Sequence, residues 1–272
     1  MQLPRQEYYS GLGGFQRYFQ EGVPVLIYHK VGVRPAGTIF KALYVGVELF
    51  GRQMGEIKRA GMAGMPFGRG LVRGGGPSKV LEIPLEISFD DGFENVFTHA
   101  LAVLAEHKFH ATQFLVAGLL GKRNEWDMPR GEVPERLMDT AQVREWLAAG
   151  HEIGAHSMTH PYLDKIPPAQ AREEIFASKK LLEDTFGVPV EHFCYPYGAW
   201  NERVRDLVQE AGYLSACTTE RGINTAATPR FELKRWLARP PGWRPKEVLA
   251  RFLDRVLNTP VEPPGNKVEQ TP

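Results

Sequence analysis

Short apolar runs that alternate with longer amphipathic segments constrain the fold of this chain most strongly. Seven of these runs predict strands, over residues 24–28, 83–89, 112–116, 152–156, 190–195, 214–218 and 233–237. Strands that alternate with helices are typical of a parallel sheet, because parallel neighbours need a long crossover connection. With 272 residues, the chain is long enough for such a sheet to close into one α/β barrel.

Helical spacing and end signals predict six helices, over residues 47–60, 96–107, 140–149, 167–186, 201–211 and 245–257. The glycine-rich stretch 61–79 predicts a loop. Its segment 74–79 resembles a phosphate-binding loop only superficially, because the required spacing is absent and Pro77 lacks an amide donor. We therefore expect a lead-in segment over 1–22, a barrel over 23–257 and a disordered tail over 258–272.

Composition limits the classes of partner. The formal net charge is +1 and no basic stripe is present, so we expect no nucleic-acid partner. No run approaches the roughly 18 apolar residues of a membrane span, and the first residues do not resemble a signal peptide. A cytoplasmic location is expected, while a membrane-face or secreted location and the oligomeric state stay open. Cys194 and Cys217 are too few for a disulfide framework and are expected to be buried strand thiols.

Polar motifs follow several of the predicted strands. Asp90 and Asp91 come at the end of strand 83–89, His156 ends strand 152–156, and Tyr197 follows strand 190–195. The carboxyl ends of the strands form the catalytic face of such barrels. These motifs are therefore expected to meet on one face.

Two imidazoles and two carboxylates suit a divalent metal. On a helical turn His156 and His160 would point the same way, and neutral imidazole suits zinc, iron, cobalt or nickel. Ser157 stands where a zincin would carry its general base, so a base must come from Asp90 or Asp91. The alternatives for each motif alone are unrelated polar residues near a turn and a plain Asp-Gly turn.

Three motifs resemble those of a known family: 88–92 (SFDDG), 156–160 (HSMTH) and 193–198 (FCYPYG). In this order they are similar to the first three motifs of the polysaccharide deacetylases, carbohydrate esterase family 4. The segment 25–31 resembles the subgroup that deacetylates poly-N-acetylglucosamine-type polymers. The resemblance implies a distorted (β/α)7 barrel with parallel strands. It also implies one divalent metal, with zinc first and cobalt, nickel or iron as alternatives.

The same resemblance implies an activity and assigns roles. It implies an enzyme that removes the acetyl group from N-acetylglucosamine units of a polysaccharide, oligosaccharide or lipid-linked sugar. It makes Asp91, His156 and His160 the metal ligands and Asp90 the catalytic base. It makes the backbone amide of Tyr197 a contact for the oxyanion.

This chain departs from the family pattern at two places. The family's third motif usually begins with an arginine that orients the base, and here Cys194 stands near that place. Arg235 is the candidate substitute, with a surface salt bridge as the alternative. No histidine follows His192, so the usual C-terminal general acid is missing. His29 is the candidate acid, and a histidine that merely packs at a strand end is the alternative.

Other residues and functions stay open at this point. Trp126 and Asp127 are candidates for a sugar subsite, and Trp200, Trp236 and Trp243 either stack on sugars or pack in the core. The remaining histidines are predicted to be structural or solvated: His99, His107, His110, His151 and His192. Two other functions compete with the deacetylase: hydrolysis of a small amide or cyclic imide, and silent carbohydrate binding. Four costly polar groups kept together argue against a silent protein.

Overall fold

The computed structural model describes residues 4, 6–72 and 83–240 of this chain. Several predicted features lie outside the described residues: the helix over 245–257, the tail over 258–272, the segment 74–79 and Trp243. Among the described helices, none is both long enough and apolar enough to cross a bilayer.

The strands in the described residues are β1 Val25–Tyr28, β2 Lys30–Val31, β3 Tyr44–Val45, β4 Met62–Met65, β5 Ile83–Phe89, β6 Thr112–Leu115, β7 Glu152–Ala155, β8 His192–Cys194, β9 Ser215–Cys217 and β10 Trp236–Leu237. The main sheet is parallel and curls into a half-barrel, with the order β10-β1-β5-β6-β7-β8-β9 and β4 paired to β5. Leu233 bridges Cys217 of β9, and Trp236 pairs with Leu26 of β1. One segment thus contacts both edges of the sheet. The predicted distorted (β/α)7 barrel with parallel strands is confirmed.

The helices in the described residues are α1 Val47–Arg59, α2 Arg69–Val72, α3 Glu94–His107, α4 Thr140–Ala148, α5 Pro168–Phe186 and α6 Glu202–Glu210. The predicted helices between residues 47 and 211 match five of these to within two residues at each end. Asp139 caps α4, because its side chain accepts from the Gln142 amide and the Gln142 side-chain oxygen accepts from the Asp139 amide.

The glycine-rich stretch 61–79 is not a loop throughout, because β4 forms at its start. A Cβ on Gly64 would lie 2.5 Å from Phe109 Cγ and 2.8 Å from Ile87 Cδ1. This glycine therefore serves close packing against the sheet rather than a turn. A glycine-rich sequence gives the same local signal in both cases, so the loop prediction for 62–65 was wrong.

Aromatic side chains of the segment 1–22 pack on the barrel. The rings of Phe15 and Tyr18 lie 4.9 and 5.8 Å from that of Trp236, and Tyr9 and Phe19 join the same buried cluster. Trp236 is fully buried in this cluster. It therefore packs in the core and does not offer a face to a sugar.

Parallel register brings the strand ends together at one edge of the sheet. The Asp90 amide donates to the Tyr28 carbonyl at 2.9 Å, which ties the end of β5 to that of β1. The His156 amide donates to the Leu115 carbonyl at 2.8 Å, which ties β7 to β6. The residues that follow these strands therefore meet at one face, as the sequence predicted.

Candidate active site

Three side chains form a compact triangle of potential ligand atoms. Asp91 Oδ1 lies 3.3 Å from both His156 Nε2 and His160 Nε2, and the two Nε2 atoms are 3.2 Å apart. All three residues are buried. Two ligands held about 2.1 Å from one metal ion at a tetrahedral or octahedral angle are about 3.0–3.4 Å apart. The triangle therefore has the dimensions of three adjacent ligands of a single ion.

The electrostatics of the triangle call for a positive charge. Burial lowers the pKa of His160 to about 4, so this imidazole is neutral at pH 7. Burial also disfavours the His156 imidazolium, but the adjacent Asp91 carboxylate helps to raise the pKa of His156. His156 Nδ1 donates to the Cys194 carbonyl at 2.8 Å, which leaves Nε2 as the free donor atom for a metal. A divalent ion coordinated by Asp91 Oδ1 and the two Nε2 atoms would balance the buried Asp91 carboxylate, so the residues present fit a metal.

The two histidines do not share a helical turn, and that part of the sequence interpretation was wrong. Residues 156–160 form an irregular turn in which Ser157 and His160 have φ values of 62° and 66°. Non-glycine residues rarely adopt this left-handed conformation, so surrounding contacts must hold it. The His160 amide donates to Ser157 Oγ at 3.0 Å, which closes the turn and directs both rings inward.

Glu174 is a structural support that sequence reasoning missed. From the buried face of α5, its Oε2 accepts from the amides of Met158 and Thr159 at 2.8 and 2.9 Å. Its Oε1 accepts from the Thr159 hydroxyl at 2.6 Å. These bonds stabilise the strained turn between the two histidines. The only sequence signal was an acidic residue at a position that helical spacing places on the inner face.

Arg235 forms a buried two-point ion pair with Asp90. Nη1 and Nη2 each lie 2.8 Å from one of the two carboxylate oxygens. The guanidinium also donates to the Thr218 carbonyl at 2.9 Å, to Ser88 Oγ at 3.1 Å and to Cys194 Sγ at 3.0 Å. Arg235 is fully buried, which excludes the surface salt bridge. Although burial opposes ionisation, Arg235 lowers the pKa of Asp90, so the carboxylate is ionised at neutral pH.

Cys194 fills the space beside this pair. Its thiol lies 3.4 Å from Asp90 Oδ2, and both cysteines are free and buried, as predicted. A small thiol at this position leaves room for the guanidinium that arrives from the far end of the chain. Arg235 thus lies directly beside Asp90, the position that the sequence analysis expected for a substitute arginine.

His29 follows β1 at the same edge of the sheet and is half-buried. Its Nδ1 is buried and has no hydrogen-bond partner among the described residues. Burial lowers the pKa of His29, and the carboxylates of Asp91 and Asp90 oppose that effect. The ring therefore interacts electrostatically with Asp90 and Asp91, and its Nδ1 is available for a further hydrogen bond.

Tyr197 sits in a strained turn between Pro196 and Gly198, with φ 60° and ψ 4°. The hydrogen bonds that close this turn are donated by the amides of Gly198 and Ala199, at 2.8 and 3.0 Å. The Tyr197 amide takes no part in them. Its ring stands edge-on to that of His160 at 4.5 Å, which places the turn beside the triangle of Asp91, His156 and His160.

A family comparison identifies this arrangement. A model of the polysaccharide deacetylase family matches residues 79–216, just over half of the chain. The chain belongs to the polysaccharide deacetylase family, carbohydrate esterase family 4. The match includes all three motifs, so the resemblance drawn from them is confirmed.

Relatives and solved structures agree with this assignment. A chitooligosaccharide deacetylase of Sinorhizobium fredii is 32% identical over 128 residues, which cover 46% of this chain and 52% of the relative. A peptidoglycan-N-acetylglucosamine deacetylase of Bacillus cereus is 31% identical over 130 residues, covering 47% and 53%. The chain spans about half the length of the curated relatives it matches.

Two solved structures share the fold. The crystal structure of a Bacillus cereus polysaccharide deacetylase superposes with a TM-score of 0.67 at 26% identity, over 85% of this chain and 68% of that chain. A Streptococcus pyogenes deacetylase in complex with acetate superposes with a TM-score of 0.69 at 23% identity, over 84% and 97%. Together they support the barrel described above.

Two residues of the long connection between β6 and α4 contact the residues of the candidate site. The Trp126 ring stacks on that of His160 at 4.6 Å. The Arg130 guanidinium lies 5.0 Å from the centre of the Tyr197 ring, and the Tyr162 ring stacks on Tyr197 at 3.9 Å. Asp127 lies between Trp126 and Arg130 in the chain and is buried. Burial, together with the Asp91 charge, raises the pKa of Asp127 to about 7.

Proposed function

We propose that this protein is a metal-dependent N-deacetylase that hydrolyses the acetamide of N-acetylglucosamine units in a glycan. The observation that carries the proposal is the metal-sized triangle of Asp91, His156 and His160 beside the ionised, buried Asp90. The relatives named as chitooligosaccharide and peptidoglycan-N-acetylglucosamine deacetylases support this class of substrate. A polysaccharide, an oligosaccharide and a lipid-linked sugar all present this unit.

Asp91, His156 and His160 would hold the metal, with zinc as the first candidate and cobalt, nickel or iron fitting the same donors. When bound, the ion would polarise the acetyl carbonyl and make water more acidic. The His156 Nδ1 bond to the Cys194 carbonyl fixes the tautomer in which Nε2 faces the site.

Asp90 accepts the proton of the attacking water. Its two oxygens are fixed by Arg235, so the carboxylate cannot turn away from the acetyl group. The same pair keeps Asp90 ionised at neutral pH, the form that a base requires. A base of this kind contributes about 10²- to 10⁴-fold to the rate.

Tyr197 donates its backbone amide to the oxygen that becomes negative when water adds to the carbonyl. The left-handed conformation of Tyr197 leaves this amide outside the closing bonds of the turn. A fixed donor at a developing oxyanion is worth about 3 kcal/mol of barrier in comparable sites. The rigid turn holds the donor in place before the reaction begins.

His29 donates a proton to the nitrogen as the C–N bond breaks, and acetate and a free amine leave. An unprotonated amine is a poor leaving group, so this proton is required for the intermediate to collapse. The lowered pKa of His29 makes its imidazolium a stronger acid. Its position at the end of β1, at the same edge as Asp90, supports this role.

Acetate release from an N-acetylglucosamine oligomer tests the proposal. The protein is stripped of metal with a chelator and then assayed alone and after addition of zinc, cobalt or nickel. We expect release only with metal, and a loss of at least about 100-fold in Asp90→Asn. Asp184→Asn is the matched control, because this aspartate is exposed on α5.

The result has a clear opposite. Acetate release that continues after chelation would refute the role of the metal. An active Asp90→Asn protein would refute the role of Asp90 as the base. Metal binding without acetate release from any N-acetylated sugar would refute the deacetylase function itself.

A further inference from the structure

Most of the buried carboxylates among the described residues accept hydrogen bonds from protein groups. Four of them accept from protein groups: Glu86 from the Gly70 amide, Asp90 from Arg235, Glu132 from the Ile39 and Phe40 amides, and Glu174 from the 156–160 turn. Asp91 instead contacts His156 and His160 in the triangle of potential metal ligands. Asp127 is the remaining case, since it is only 4% exposed.

Among the described residues, no hydrogen-bond donor reaches the Asp127 carboxylate. Its ion pair with Arg130 is long, with 3.7 Å between Oδ1 and Nη1. A carboxyl group in a mostly buried position normally accepts hydrogen bonds. Because the described residues supply none, the donor must come from solvent or from a bound ligand.

The surroundings of Asp127 indicate where that partner would lie. Its neighbour Trp126 stacks on the metal-triangle residue His160, and Arg130 lies over the ring of Tyr197. Asp127 therefore lies in a short segment whose flanking residues contact His160 and Tyr197, next to the triangle of Asp91, His156 and His160.

These features match the chemistry of a sugar. A pyranose offers hydroxyl donors around its edge and apolar faces above and below, and aromatic side chains pack on such faces. A second metal is disfavoured, because Asp127 belongs to no group of three metal-ligating side chains among the described residues. The partner that fits is a neutral ring with hydroxyl groups.

We propose that Asp127 is a substrate-binding residue whose carboxylate accepts a hydroxyl hydrogen bond from the N-acetylhexosamine that undergoes deacetylation. The inference rests on the proposed function and adds to it a residue that selects for a sugar. An acetyl group on a carrier without hydroxyls would reach the metal triangle but make no bond to Asp127. Selectivity for glycans over simple acetates would then depend on this side chain.

The test compares two substrates in Asp127→Ala and Asp127→Asn. One is an N-acetylglucosamine oligomer, and the other is 4-nitrophenyl acetate, which has no hydroxyl groups. For Asp127→Ala we expect kcat/KM on the oligomer to fall about 10- to 100-fold, mainly through KM, as for the loss of a hydrogen bond to a charged group. Hydrolysis of the aryl acetate should stay within twofold. On the oligomer, kcat/KM of Asp127→Asn should lie between those of the parent protein and Asp127→Ala, because the amide oxygen still accepts a hydrogen bond.

Glu125→Gln, an exposed neighbour in the same connection, is the control and should leave both substrates unaffected. Equal losses on both substrates in Asp127→Ala would assign the residue a structural role and overturn the inference. Unchanged kinetics on both would overturn it as well.

A binding measurement separates this inference from the proposed function. Calorimetry of the oligomer with Asp90→Asn protein, with and without Asp127→Ala, needs no turnover. Weaker binding in the double variant, by the same 10- to 100-fold, supports Asp127 even if no glycan is deacetylated. Equal affinity, or no binding to either protein, refutes it.

Discussion

Loss of the Arg235 guanidinium should affect both stability and pH dependence. Arg235→Met keeps most of the volume of the side chain and removes the charge, so Asp90 is left buried beside Cys194 and Ser88. Both partners of the ion pair are almost fully buried, at 0% and 4% side-chain exposure, so solvent screens their interaction little. Breaking such a pair by removing one partner costs about 3–5 kcal/mol. That is a large fraction of the roughly 5–15 kcal/mol that stabilises a typical domain.

The sign of the pH effect follows from the lowered pKa of Asp90. An acid with a depressed pKa in the folded state stabilises the protein above its unfolded pKa, and this contribution is lost as pH falls through the folded value. The gap in stability between the parent and Arg235→Met should therefore be largest near neutral pH and shrink in acid. The acid limb of kcat/KM should move to higher pH, because the Arg235 cation no longer favours the ionised form of Asp90.

Urea unfolding followed by tryptophan fluorescence measures the first effect, and acetate release from pH 4 to 8 measures the second. The double variant Asp90→Asn with Arg235→Met is the control. It has no unpaired charge and should recover part of the lost stability. An Arg235→Met protein with unchanged unfolding and an unchanged pH profile would refute the view that Arg235 holds the base.

Three further predictions follow from other parts of the barrel. His29→Ala should slow acetamide hydrolysis at least 100-fold but spare 4-nitrophenyl acetate, whose leaving group needs no proton; equal turnover on the amide would contradict the acid role. Burial lowers the pKa of His151 and of His192 to about 4. Because the unfolded chain binds these protons more tightly, each histidine should lower the free energy of unfolding by about 2 kcal/mol when pH falls from 7.5 to 5. Urea unfolding measures this loss, and His192→Asn should reduce it. Gly64→Ala should destabilise by about 1–3 kcal/mol in thermal melts, because its Cβ meets Phe109. Gly51→Ala, which places its Cβ in open space on α1, should instead raise the free energy of unfolding by about 0.5–1 kcal/mol. Equal changes in stability for the two variants would refute the packing argument.

Local patterns were sufficient to predict much of the fold. Apolar runs located the strands of the barrel, and end signals located α1, α3, α4, α5 and α6 to within two residues. They failed at β4, where Gly64 is required by Phe109, a residue 45 positions later. A glycine that allows close packing and a glycine that allows a turn look alike in sequence, so only the partner distinguishes them.

The candidate site shows the same division. The motifs alone were enough to predict that Asp91, His156 and His160 would meet, because parallel strands deliver their ends to one edge. The prediction that the two histidines share a helical turn was wrong, because the left-handed turn at Ser157 and His160 depends on hydrogen bonds that its amides donate to Glu174 on α5.

The sequence by itself determined the order of strands and helices, the family and the residues that can bind a metal. The order of elements follows from periodicity, and the family and the metal-binding residues follow from short motifs, each only a few residues long. Only the tertiary structure decided that Arg235 pairs with Asp90 across 145 positions, and that Asp127 is buried with its carboxylate unsupplied. Both depend on which distant groups share a buried space, because the energy of a charge is set by its surroundings and not by its neighbours in the chain.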